Sequence, residues 1–275
     1  RRCHLRQNLA MPVVGDRVVW QSSDNDTGVV VALDERDALL ARPDFSGAMK
    51  ALAANIDQIL VVTAPEPPFS TDSIDQFLVA AEKSGIMPLV VFNKVDLLEP
   101  RGRKQVDAQL SVYRDIGYRV IYATTRTDHG LTDLRTALKD KTSIFAGQSG
   151  VGKSSLAKAL LPNETITVGD LAEVTGLGRH TTSSARLYHL PSGGDVIDSP
   201  GVREFRLWSM GEQELAEGFI EFRDFLGGCR FRDCRHDSEP GCAIQAALEA
   251  GKITPQRLIS FRRLAANLAE KAPTY

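Results

Sequence analysis

Cysteine is scarce in this chain: four in 275 residues, three of them between positions 229 and 242. So few and so clustered, they exclude a disulfide-stapled scaffold and favour a reduced compartment and a bound metal. No apolar run approaches the ~20 residues needed to cross a bilayer, so no membrane partner is expected. A strong excess of either charge is lacking too: Lys and Arg total 33 against 35 Asp and Glu. The net charge of −2 excludes a chain-wide basic surface and leaves only local patches for nucleic acid. The opening, RRCHLRQNLAMPVV, has no apolar signal-peptide core and no initiator Met, so residues upstream are expected. There is no internal repeat or low-complexity tract. These absences leave a soluble, cytoplasmic globular chain of roughly two domains, three if some are small.

What is present falls into three textures. Short β-rich runs at Val13–Trp20, Thr27–Leu33 and Ala38–Pro43, broken by Gly, Asp and Asn, predict a small sheet or barrel. From Ile56 the run IDQILVVTA is continuously apolar, the mark of a strand covered on both faces. Helical spacing over 72–85, 103–117 and 131–140 then alternates with strands beginning near Pro88, Tyr118 and Thr142. That alternation predicts a parallel sheet with crossover helices, an α/β domain. After Trp208 the chain turns helical and polar around its Cys/His cluster.

Gly147-Gln148-Ser149-Gly150-Val151-Gly152-Lys153-Ser154 matches the phosphate-loop pattern in full, after a strand and before a helix running from Ser154 to Leu161. Its glycines let backbone N–H groups curl toward phosphate oxygens, and the helix N-terminus adds positive potential. Ser155 continues the loop into that helix. Lys153 is expected to reach the β- and γ-phosphates and Ser154 to ligate Mg²⁺. Asn93-Lys94-Val95-Asp96 stands at the carboxyl end of a buried strand, where such sheets bind ligands. A carboxylate at Asp96 accepts from guanine N1–H and the exocyclic amine. Adenine offers an acceptor at that ring nitrogen and is repelled. Thr124-Thr125-Arg126 occupies the place of the loop that backs the base in GTPases.

Asp198-Ser199-Pro200-Gly201 fits D-x-x-G, with Asp198 holding Mg²⁺ through water and the Gly201 N–H touching the γ-phosphate. Thr181 or Thr182, in the Gly/Ser/Thr-rich stretch between the two motifs, is placed to close on Mg²⁺ and the γ-phosphate. Val202 stands where Ras-like enzymes carry the Gln that orients attacking water. Slow intrinsic hydrolysis is therefore expected, with His180 the candidate to orient water when a partner binds.

The base-reading motif precedes the phosphate loop, the reverse of the usual order. Joining the ordinary termini and cutting a surface loop leaves the same site, because termini lie exposed and close together. The order thus reads as a circular permutation, and it sends D-x-x-G directly into the C-terminal segment. There, Cys229, Cys234, His236 and Cys242 supply three thiolates and an imidazole within fourteen residues. That set suits tetrahedral Zn²⁺ with no position left for water, so the site is expected to be structural. Arg230, Arg232 and Arg235 are interleaved with the ligands, to meet RNA phosphates or to form a solvated rim. Cys3 is remote and has no assigned role.

Together NKVD, GQSGVGKSS, GRHTT, DSPGVREF and CRFRDCRHDSEPGCAI resemble the circularly permuted, ribosome-associated GTPases of the RsgA (YjeQ) family over nearly the whole chain. The resemblance implies a multidomain protein. Residues 1–52 would be an incomplete OB-fold (a partial β-barrel), 53–212 a permuted P-loop GTPase domain, and 213–275 a small, mostly helical zinc domain. It further implies GTP hydrolysis to GDP with Mg²⁺, stimulated by the small ribosomal subunit late in its maturation. The implied partners are that subunit and its rRNA, with the protein acting as a monomer. Two departures matter: the OB module lacks its earlier strands, and Thr124-Thr125 replaces the family's usual Ser-Ala. A GTP-gated RNA-binding module in which turnover is incidental is the alternative. A P-loop kinase is disfavoured by NKVD and the switch pattern.

Overall fold

In a computed structural model, residues 1–23, 27–43, 48–127, 129–161, 185–198 and 210–271 are described. Strands β1 (Arg2–Leu5), β2 (Val18–Ser22) and β3 (Thr27–Leu33) form one sheet in the order β1-β3-β2. Strand β4 (Leu39–Pro43) pairs with β5 (Met49–Ala54) in a separate hairpin. The two sheets are partial and do not close into a barrel among the described residues. The run expected from Val13 becomes a strand only at Val18, because turn chemistry overrides alternation there. Asp16 accepts the Val13 N–H at 2.7 Å and takes the Arg36 guanidinium at 2.7 and 2.8 Å. Leu40 and Ala53 of the hairpin are fully buried against the main domain.

That domain continues through β6 (Gln58–Thr63), α1 (Thr71–Lys83), β7 (Met87–Phe92), α2 (Pro100–Asp115), β8 (Arg119–Tyr122) and α3 (Thr132–Leu138). Then come β9 (Thr142–Ala146), α4 (Lys153–Leu160), β10 (Arg186–His189) and β11 (Asp195–Asp198). The sheet order is β10-β11-β9-β6-β7-β8, parallel except for β10. Strand β10 was not expected: most of the stretch before it reads as loop. Every residue of β6 is buried, since both faces are covered. Ile59 and Val61 pack with Phe77 of α1 and Leu110 of α2, whereas Leu60 and Val62 pack with Leu134 of α3 and Leu156 of α4.

From β6 the chain steps outward through β7 to β8, then returns to place β9 on the other side of β6. The direction of winding therefore reverses between β6 and β9, and ligands bind outside the carboxyl ends of strands at such a point. The C-terminal segment, α5 (Glu212–Glu217), a 3₁₀ turn (Ile220–Phe225), α6 (Ala243–Glu249) and α7 (Pro255–Lys271), builds its own apolar cluster. Phe219, Phe222, Leu258 and Phe261 close it over Val79 of α1. No helix among the described residues is long and apolar enough to cross a membrane.

Candidate nucleotide site and metal centre

Beyond β9 the backbone turns through Gly147, Gly150 and Gly152, with φ of +138°, +80° and +94°. A Cβ at Gly147 would lie 2.2 Å from the Val62 carbonyl oxygen on the neighbouring strand. A Cβ at Gly152 would lie 2.4 Å from Asn93 Nδ2. The loop is thus pressed against β6 and against the base-reading motif, and only glycine fits. Gly147→Ala is expected to destabilise by on the order of 3 kcal/mol, read by denaturant unfolding, and to abolish nucleotide retention. Gln148, Ser149 and Gly150 are exposed at the crest, while Val151 is buried in the core beneath. Lys153 opens α4 and donates its ammonium to the carbonyls of Gly147 (2.8 Å) and Gln148 (2.7 Å), curled over the loop it serves.

Asn93 follows β7 and is 2% exposed. Its Nδ2 donates to the Val151 carbonyl at 2.9 Å, and its Oδ1 is buried with no hydrogen-bond partner among the described residues. Lys94 takes the left-handed conformation (φ +56°) and donates to Gly150 O at 2.7 Å and Glu66 O at 2.9 Å. These bonds span 58 and 56 residues of chain between Asn93–Lys94 and the phosphate loop. The two motifs are one site, and their inverted order is a matter of connectivity. Val95 packs against the core and does not line the cleft.

Asp96 accepts a short hydrogen bond from the Thr124 hydroxyl, whose oxygen in turn accepts the Arg126 N–H at 3.1 Å. Thr124 is 6% exposed and lies beneath Asp96, whereas Thr125 forms part of the cleft wall. Losing a hydrogen bond to a charged group weakens binding by roughly 1.5 kcal/mol. Thr124→Val should therefore lower guanine-nucleotide affinity about tenfold, by fluorescent-GDP titration, with little change in melting temperature. The cleft, about 340 Å³, is bounded by Asn93, Asp96, Thr125, Gly152 and Ser155. Ser154, beside Lys153, heads α4. Asp198 ends β11, one residue past Ile197, which pairs with Ile144 of β9. His180, Thr181, Thr182, Gly201 and Val202 lie outside the described residues.

Sequence reasoning missed Glu66 and Pro67. The Glu66 carbonyl holds Lys94, and the Pro67 ring lies 3.4 Å from where a Gly150 side chain would begin. A backbone carbonyl leaves no side-chain signature, so only their position after a buried strand hinted at them.

Cys229, Cys234, His236 and Cys242 present their ligand atoms within 4.8 Å of one another. Sγ of Cys229 and Cys242 lie 3.6 and 3.5 Å from His236 Nδ1. Tetrahedral ligation with metal–sulfur and metal–nitrogen bonds near 2.3 and 2.05 Å demands about 3.6 Å between those atoms, so the set fits a metal ion. The Ala243 N–H donates to Cys229 Sγ at 3.3 Å. Glu239 clasps the loop by accepting the N–H groups of Arg235, Asp237 and Ser238, which lower its pKa to about 2. Burial, and then the crowding thiols of Cys242 and Cys229, push Cys234 up to about 12. Burial also lowers the pKa of His236, keeping the imidazole in the neutral form that ligates.

The family model for RsgA GTPase matches residues 33–208. The small ribosomal subunit biogenesis GTPase RsgA of Pseudomonas aeruginosa (strain LESB58) is 51% identical over 98% of this chain and 79% of its own length. The protein of that name from Dickeya dadantii (strain 3937) is 50% identical with the same coverage. Among solved structures, YloQ, a circularly permuted GTPase, superposes with a TM-score of 0.77 at 33% identity, covering 99% of this chain and 88% of YloQ. YjeQ from Thermotoga maritima gives 0.78 at 33% identity, covering 98% and 90%. With the NKVD motif hydrogen-bonded to a phosphate-loop pattern that follows it in the chain, and a Cys₃His cluster in the C-terminal segment, this chain belongs to the RsgA GTPase family.

Proposed function

We propose that the chain is a GTP hydrolase that binds the small ribosomal subunit, contacts its rRNA and assists its late maturation, its turnover stimulated by the subunit. Asp96 reads the guanine edge, steadied by Thr124, and Asn93 ties that motif to the phosphate loop through the Val151 carbonyl. Residues 147–155 cradle the phosphates, with Lys153 exchanging its loop carbonyls for β- and γ-phosphate oxygens. Ser154 and Asp198 would hold Mg²⁺, which supplies charge neutralisation between those phosphates. Thr181 or Thr182 and the Gly201 N–H close on the γ-phosphate, and His180 orients water in place of the missing Gln. The Cys₃His set would hold one structural Zn²⁺, since all four positions are filled by protein. Residues 1–52, 53–212 and 213–275 act as barrel fragment, GTPase body and zinc segment of a monomer.

The observation that carries this reading is the pair of bonds from Asn93 and Lys94 to Val151 and Gly150. They tie the NKVD motif to the phosphate-loop pattern, which supports reading the two as one nucleotide site. Steady-state hydrolysis of GTP and ATP, each with and without small ribosomal subunits, tests it. GTP turnover should rise at least tenfold with subunits while ATP turnover stays at background. Equal use of both nucleotides, or indifference to the subunit, would overturn it.

A further inference from the structure

Arg257 in α7 is completely buried. A buried guanidinium is costly unless every donor is paired. Here Nε and Nη2 donate to the two Glu221 oxygens at 2.6 and 3.2 Å, and Nη1 donates to Asp75 of α1. The guanidinium lies 4.3 Å from the Phe219 ring centroid and 5.6 Å from that of Tyr113 on α2. Replacing a buried ion cluster by well-packed apolar residues of similar volume is often neutral or stabilising. Stability alone therefore gives no reason for three charges there, and their geometry is the thing to explain.

Asp75 stands in the second turn of α1, and the Tyr113 hydroxyl donates to the carbonyl of Thr71, the first residue of that helix, at 3.3 Å. Immediately upstream is the loop that supports the nucleotide site. Glu66 O accepts the Lys94 ammonium, Pro67 abuts Gly150, and Phe69 packs edge-on against Phe92 at 5.5 Å, next to Asn93. Resting on the nucleotide reading above, we propose that Arg257 is a positioning residue for the guanine-nucleotide site. By fixing the first turns of α1 it fixes the loop at 64–70, and through that loop Lys94 and Gly150. The same contacts run on to the metal centre: Phe219 meets Phe261 at 5.6 Å, and Phe261 lies 6.0 Å from the ring of His236.

The test titrates fluorescent GDP into the metal-loaded full chain carrying Arg257→Lys, Arg257→Met, or the neutral, apolar set Asp75→Leu, Glu221→Met and Arg257→Met. Arg263→Ala, which removes an exposed pair between α7 and Asp72, is the control. Wherever circular dichroism shows a folded chain, Kd should rise about tenfold in the Arg257 variants and stay unchanged in the control. The neutral set should recover melting temperature without recovering affinity, and amide exchange at 66–71 should quicken. A Kd within twofold of the parent in Arg257→Lys or the neutral set overturns the proposal. These two variants decide the matter even if Arg257→Met fails to fold. A parent chain that binds no guanine nucleotide sinks the functional reading instead.

Discussion

Asp96→Asn should move the pocket from guanine toward xanthine. GTP affinity falls by on the order of 10³ and XTP becomes the preferred triphosphate. The direction follows from which oxygen is already taken. Thr124 receives the Arg126 N–H on its hydroxyl oxygen, so its proton is committed to Asp96 Oδ1. In the Asn variant the side-chain carbonyl must occupy that position, because an NH₂ there would leave the buried Thr124 proton unpaired. The new NH₂ then faces the base. Guanine presents donors at N1 and its exocyclic amine, so donor meets donor. Xanthine presents a carbonyl at the latter position and is accepted. Competition of GTP, XTP and ATP against a fluorescent nucleotide measures this. Retention of GTP within tenfold of the parent, with no gain for XTP, would mean that Asp96 does not read the base.

Chelation of the metal, or Cys234→Ser, should release the C-terminal segment while leaving the parallel sheet folded. Cys242 is buried in the third apolar cluster, and Cys229 and Cys234 pack against it, so the ligands are also part of that core. Structural zinc contributes on the order of 10 kcal/mol in small domains, more than a cluster of this size can replace. The two clusters on the sheet faces share no residue with it. Protease cleavage and fast amide exchange should therefore appear at 229–249, with residues 58–63 and 142–146 still protected. Metal analysis of the untreated chain should give one zinc ion. The thiols must lose protons to ligate, and Cys234 without a cation sits high, so affinity falls as pH is lowered. A chelated protein with an unchanged exchange pattern would show that the cluster is dispensable for folding.

Motifs whose physics is local could be read directly. The curl at 147–152 needs glycines at fixed spacing, and the cluster at 229–242 needs four donors within reach of one ion. Features that depend on partners far along the chain were not legible. The alternation at Val13–Trp20 suggested one strand, but Asp16 found Arg36 and made a turn instead. β10, only four residues long, formed because β11 offered it an open edge.

Residues close together in the chain were thus enough to name the pieces: an NKVD motif, a phosphate-loop pattern and a Cys/His cluster with metal-ligand spacing. Folding was needed to bring Asn93 and Lys94 onto the phosphate loop, Thr124 under Asp96, and Arg257 into burial against Asp75. The reason is that helical and strand periodicities tell which face of an element is apolar and nothing about what covers it. Strand order and crossover direction choose those neighbours, and they are properties of the assembled sheet.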